Sequence, residues 1–156
     1  MTGGTQAEES STAGFTLLET LIVLSILALV AAVAMPQLTR PSDGVRLQAA
    51  ARDLLGALRL TRSTAISRNA AIALVVDVEE RAFESPVVPR KSLASDIDMQ
   101  LKVAEPERAT PSRGGIRFFA DGSSTGGDLL LRLRDKQARI CVSWLTGKPE
   151  EGTKCS

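Results

Sequence analysis

Few side chains in this sequence are of the kind that do chemistry, and Glu19 is the first of them. It stands at the mouth of an apolar run, since no residue from Thr20 through Thr39 is charged. At about 1.5 Å of rise per residue, a helix of that length spans the roughly 30 Å hydrocarbon core of a bilayer. A carboxylate inside such a run costs on the order of 2.5–3.5 kcal/mol on insertion scales, so a partner must be sought for it. The chain has no His, which removes the commonest general base and metal ligand at neutral pH. Ser123 and Ser124 therefore have nothing to activate them as nucleophiles. Cys141 and Cys155 are the only cysteines, too few for a zinc site. They are either a disulfide or two thiols, according to compartment. The glycines between Gly122 and Gly127 invite a phosphate-binding reading. No Lys-Ser/Thr follows them, however, and a strand pattern follows where a helix would be needed. Asp121 and Asp128 flank that loop, and two carboxylates do not make a calcium site. No acid/base, nucleophilic or metal constellation can be assembled. The sequence therefore argues against an enzyme and asks for no cofactor.

The elements that position these residues are one apolar helix and one small domain. Residues 1–14 are small and polar and read as a removable leader; 15–39 form a transmembrane helix; 40–156 form the domain. Pro36 should kink or interrupt the first helix. Ser42 or Asp43 caps a second helical start. Across 45–69, Leu47, Ala51, Leu54, Leu58, Thr61 and Ala65 step by three and four along one stripe. Arg46, Arg52, Arg59, Arg62 and Arg68 mostly fall elsewhere, as a solvated face does. The period then changes to two: Ile72, Leu74, Val76 and Val78 share one face of a strand. Four prolines break up 79–114, which reads as a variable loop region with one short strand at Met99 to Val103. Strand patterns return at Gly115 to Phe119, at Leu129–Leu131–Leu133, and at Ile140–Val142–Trp144, with Cys141 on the opposite face. Their short connections predict an antiparallel meander within a β region from 71 to 156. The fold class is α+β, a long N-terminal helix (transmembrane, then amphipathic) packed on an antiparallel, sandwich-like β domain. The 19 basic and 18 acidic residues nearly cancel, too little excess to argue a nucleic-acid surface.

The N-terminal stretch has three readings. Ala32-Val33-Ala34 has the small-x-small form of a signal-peptide site, but the preceding region is acidic and Glu19 interrupts the run. An ordinary membrane anchor with Glu19 tolerated at the interface is the second. The third comes from Gly14-Phe15-Thr16-Leu17-Leu18-Glu19, which resembles the cleavage motif of the type IV pilin-like superfamily residue for residue. The resemblance implies that a prepilin peptidase cuts after Gly14 and methylates the new amino terminus at Phe15. Glu19 is then retained, and in a filament it neutralises the amino terminus of a neighbouring subunit, which offsets the cost of burying either charge. The leader of that family usually carries Lys or Arg before the glycine; here Ser11-Thr12-Ala13 stand there.

A second resemblance lies at the other end. Residues 116–127, from Ile116 to Gly127, and Ser143-Trp144-Leu145-Thr146-Gly147 resemble signatures of the H-type minor pseudopilins of type II secretion. That family implies a structural subunit at or near the tip of a periplasmic pseudopilus, supporting protein export. The implied partners are the prepilin peptidase, other major and minor pseudopilins, the inner-membrane assembly platform and secreted protein substrates. The implied location is the inner membrane, single-pass, with the domain in the periplasm, an oxidising compartment where Cys141 and Cys155 would pair. The alternative is a minor pilin of type IV pili involved in pilus assembly or DNA binding and uptake. DNA-binding members of that branch carry Gly-Arg-x-Arg, and Gly147-Lys148-Pro149-Glu150 stands here instead, so nucleic acid is not the expected partner.

Overall fold

In the computed structural model, the structure describes residues 16–38 and 41–152, with the side chains of 33–38 and of 106 outside the description. The chain divides into two units, residues 1–40 and 41–156. In the first, α1 spans Leu17–Leu38, and the helix assignment runs through Pro36. The described apolar side chains, from Leu17 to Val30, are exposed all around the helix. A helix that is apolar on every side needs an apolar surrounding, from lipid or from other chains. Thr20 and Ser25 satisfy their hydroxyls within the helix, donating to the carbonyls of Leu17 (2.9 Å) and Leu21 (2.7 Å). Among the described residues no helix is long and apolar enough to cross a membrane.

In the second unit, Ser42 caps α2, which spans Asp43–Ser67; its side chain accepts from the Val45 amide. All six residues of the stripe read from the sequence are buried, and Ala50, Leu55 and Ala57 widen it. That width lets α2 pack on two sheets at once, against β1, β3 and β6 of one and β7, β8 and β9 of the other. The strands are β1 Ile72–Asp77, β2 Ala82–Ser85, β3 Val88–Ser92, β4 Asp98–Lys102, β5 Arg108–Thr110, β6 Arg113–Phe118, β7 Gly127–Leu133, β8 Lys136–Val142 and β9 Pro149–Glu151, with one 3-10 turn at Glu105–Glu107. One sheet has the order β3-β2-β1-β6-β5 and the other β4-β7-β8-β9, and every pairing is antiparallel. The core joins Leu54 and Leu58 of α2 to Leu74, Phe118, Leu129, Leu131 and Ile140.

Three expectations are corrected. The region 79–114 is not chiefly loop: it supplies β2, β3, β4 and β5 and the first residues of β6. The missed strands are short, and β3 and β5 lie at sheet edges with mostly exposed residues, so neither alternates. Pro89 fits β3 because an edge strand can spare a donor. The strands beginning at Arg113, Gly127 and Lys136 are not one meander either. The chain leaves the first sheet after Phe118 and enters the second at Gly127. Finally, Trp144 does not share the core face of Ile140 and Val142; β8 ends at Val142, and Trp144 sits in the following turn, 65% exposed.

Candidate functional site

Glu19 lies in the first turn of α1, where its amide donates to the carbonyl of Thr16 (3.0 Å) and to the Thr16 hydroxyl (3.2 Å). Thr16 thus caps the helix start and fixes Glu19 one turn inside it. The Glu19 side chain is exposed in the single chain. Gly14 and Phe15, the expected cleavage and methylation positions, lie outside the described residues, as does Cys155. Cys141 is half-buried in β8 and is disulfide-bonded. It faces Asp128 on β7 and Glu150 on β9. β9 is the start of the tail that returns past Cys141, and Gly152 donates to the Arg139 carbonyl at 3.1 Å.

The two segments singled out at the C-terminal end of the sequence meet in space. The Ser124 amide donates to the Trp144 carbonyl (2.9 Å) and its hydroxyl to the Ser143 carbonyl (3.0 Å). Gly147 closes the turn by donating to Ser143 (2.8 Å), and Thr125 ties the loop back to β6 through the Arg117 carbonyl (2.9 Å). Gly147 has φ +62°, and a Cβ built on it would lie 2.1 Å from the Gly122 carbonyl oxygen. Only glycine permits that backbone contact. Arg62 of α2 clamps both segments: its Nε donates to the Gly122 carbonyl (3.0 Å) and its Nη2 to that of Thr146 (2.9 Å). Sequence reasoning had placed Arg62 on a solvated face. No local spacing distinguishes it, because its acceptors are backbone carbonyls of remote loops.

Asp121 and Asp128 have separate surroundings. Asp121 accepts from the Ser123 amide (2.9 Å) and hydroxyl (2.6 Å), and the latter bond above all holds its carboxyl below the usual range. The nearest cation to Asp128 is Arg139, at 3.7 Å. Arg117 grips Glu107 with two bonds, 2.8 and 3.2 Å, and the hydrogen-bonded carboxylate raises the guanidinium further above its ordinary value. Asp121 with Ser123, and Arg117 with Glu107, satisfy one another as the side chains of a scaffold do, whereas the buried Oδ1 of Asp128 has no hydrogen-bond partner and Asp128 lines a cavity with Lys102, Thr125 and Trp144.

What the scaffold belongs to follows from its relatives. The family model for Type II transport protein GspH matches residues 50–147, from the third turn of α2 through both signature segments. The chain belongs to the GspH family. A model for the prokaryotic N-terminal methylation motif matches residues 10–35 of this GspH-family chain, the stretch holding Gly14, Phe15 and Glu19. A relative, Type II secretion system protein H of Xanthomonas campestris pv. campestris, is 34% identical over 139 residues, 89% of this chain and 82% of that protein. Among solved structures, the minor pseudopilin EpsH from the Type 2 Secretion System of Vibrio cholerae superposes with a TM-score of 0.56 at 14% identity, covering 69% of this chain and 96% of that one. The type IV minor pilin FimU of Pseudomonas aeruginosa superposes with 0.53 at 17% identity, covering 70% and 95%. Those two likenesses show the shared pilin-like α+β fold. The family match and the protein H relative separate the readings, and the GspH-family chain is a minor pseudopilin of type II secretion.

Proposed function

We propose that this minor pseudopilin is made with a leader ending at Gly14, is cut there by a prepilin peptidase, and starts its mature chain at an N-methylated Phe15. It is then held in the inner membrane by the apolar run, with residues 41–156 in the periplasm, and enters the pseudopilus at or near its tip. Glu19 is the residue on which entry turns. The observation that carries this reading is its placement: a capped helix start presents an exposed carboxylate immediately before an uncharged run. The ammonium of a neighbour's Phe15 is the complementary charge, and in an apolar surrounding such a pair offsets much of the cost of burying either ion. Other pseudopilins and the assembly platform are its partners, with secreted proteins as passing contacts. Its work is structural, without a catalytic group or cofactor. Cys155 is the partner of Cys141 and fastens the tail to β8.

The test is the mass of the mature N-terminus in cells that assemble the secretion system. The expected chain begins at methylated Phe15. A chain retaining Met1, or one beginning after Ala34 as signal-peptidase cleavage would leave it, overturns the proposal.

A further inference from the structure

We propose that the cavity between the end of β4, the start of β7 and Trp144 binds a sugar ring. Such a site goes beyond the assembly role proposed above. The cavity encloses about 400 Å³, a size common for small-molecule sites, and Lys102, Val103, Thr125, Asp128, Val142 and Trp144 line it. Two polar groups are held there without a partner. The buried Oδ1 of Asp128 accepts no hydrogen bond. Arg139 stands 3.7 Å away, near enough to balance the charge and too far to donate. The atom therefore lacks a donor rather than a counter-ion, and a buried acceptor in that state is unfavourable until one is supplied. Lys102 lies directly opposite Asp128 on the β4–β7 ladder. Among the described residues its ammonium nevertheless forms no ion pair.

An acceptor and a donor kept apart over one cavity, beside an aromatic ring, suit a polyol. One hydroxyl donates to Asp128 Oδ1, and the oxygen of its neighbour accepts from Lys102. The C–H face of the sugar ring, faintly positive, lies on the negative face of the Trp144 indole. Val103 and Val142 supply the remaining apolar wall. A Lys or Arg side chain could also donate to Asp128, but it would meet the Lys102 ammonium beside a carboxylate that Arg139 already balances. The platform is built in advance. Trp144 is 65% exposed, and its carbonyl is tied to the Ser124 amide at 2.9 Å. Gly126 has φ +74°, and a Cβ built on it would lie 3.2 Å from that of Trp144, so glycine lets the loop run close against the indole. In the periplasm, sugar rings come from the glycan of the cell wall or from free oligosaccharides.

The experiment titrates the full-length chain, in phosphatidylcholine nanodiscs, with two soluble sugars. Chitotetraose carries the N-acetylglucosamine rings of wall glycan, and maltotetraose is plain glucose. Trp144 is the only Trp of the chain, so its emission reports on this cavity alone. The expected result is a saturable change in that emission with at least one sugar, and the one that responds identifies the source. Asp128→Ala should weaken binding about tenfold or more, as loss of a buried acceptor does. Lys102→Met should weaken it severalfold. Both variants should melt like the wild type, and should Asp128→Ala melt early, the exposed Lys102 decides the matter. No response to either sugar up to about 10 mM, where specific contacts are no longer at work, overturns the proposal. So does a response to N-acetyl-lysine amide alone, which would make the cavity a peptide site. Wild-type affinity in both variants would reduce the effect to stacking on an exposed indole and overturn it equally. The mature N-terminus tests the assembly reading independently of any of these results.

Discussion

Arg62 supplies one guanidinium to two carbonyls that lie 60 and 84 residues away in sequence. Arg62→Ala would leave the oxygens of Gly122 and Thr146 without their donor, at a cost of about 1–3 kcal/mol. At roughly 4–8 °C per kcal/mol for a domain near this size, the melting temperature should fall clearly. Arg62→Lys should recover little of it, since a single ammonium does not reproduce the fork. An unchanged melting curve for Arg62→Ala would remove the clamp from the account. Glu19 acts differently. Glu19→Gln keeps the shape and the helix start but not the charge, so export should be lost while the melting temperature of the domain stays put; normal export would refute charge pairing. At Asp96, the hydrogen bond from Arg46 holds the carboxyl below its ordinary value. Its contribution is therefore fully present above the unfolded value of about 3.9 and disappears as pH falls through the lower folded value. The difference in melting temperature between wild type and Asp96→Asn should be constant at neutral pH and close in acid. A difference that widens on acidification would give the opposite sign.

Among the elements, those that repeat a burial pattern were legible from sequence. The α2 stripe, the alternation of β1 and the Leu129, Leu131 and Leu133 face of β7 each carry a period, although Leu130 on the other face of β7 is buried too. The edge strands β3 and β5 were not legible, because their residues are mostly exposed and their pairing exists only through β2 and β6. Trp144 misled for a related reason: the alternation of Ile140 and Val142 extends to it in sequence, but the chain turns first. Within the candidate site, Glu19 stands out in the sequence because its cost is local, and its role is a proposal. The clamp does not, since nothing near Arg62 reveals which carbonyls it will meet. The turn itself makes a sharp prediction. Gly147→Ala combines a positive φ with a Cβ 2.1 Å from the Gly122 oxygen, and both sides of that contact are backbone. The loss should exceed the 1–2 kcal/mol of the left-handed conformation alone. Proteolysis between Ser143 and Lys148 should then accelerate, and a variant as resistant as wild type would show that the two loops can part without penalty.

For the molecule as a whole, the division at Arg40 separates two kinds of stability. The unit from Pro41 onward has its own core, made by α2 between two sheets, and needs nothing from α1 to bury it. The α1 unit is the reverse: its described apolar side chains, from Leu17 to Val30, are exposed, so in water they would lack an apolar surrounding. Expressed alone, residues 41–156 should therefore remain in the aqueous phase of a detergent partition and unfold in one cooperative transition. The full chain should pass to the detergent phase, with its domain melting at the same temperature. Recovery of the full chain in the aqueous phase as a monomer would overturn membrane anchoring. A domain that melts only when α1 is present would mean that the boundary at Arg40 does not divide the folding energy as it divides the contacts. The same pair of proteins locates the filament contacts. On the role proposed for Glu19, the shorter chain should fail to enter the filament, and its incorporation at the level of the full chain would refute that role.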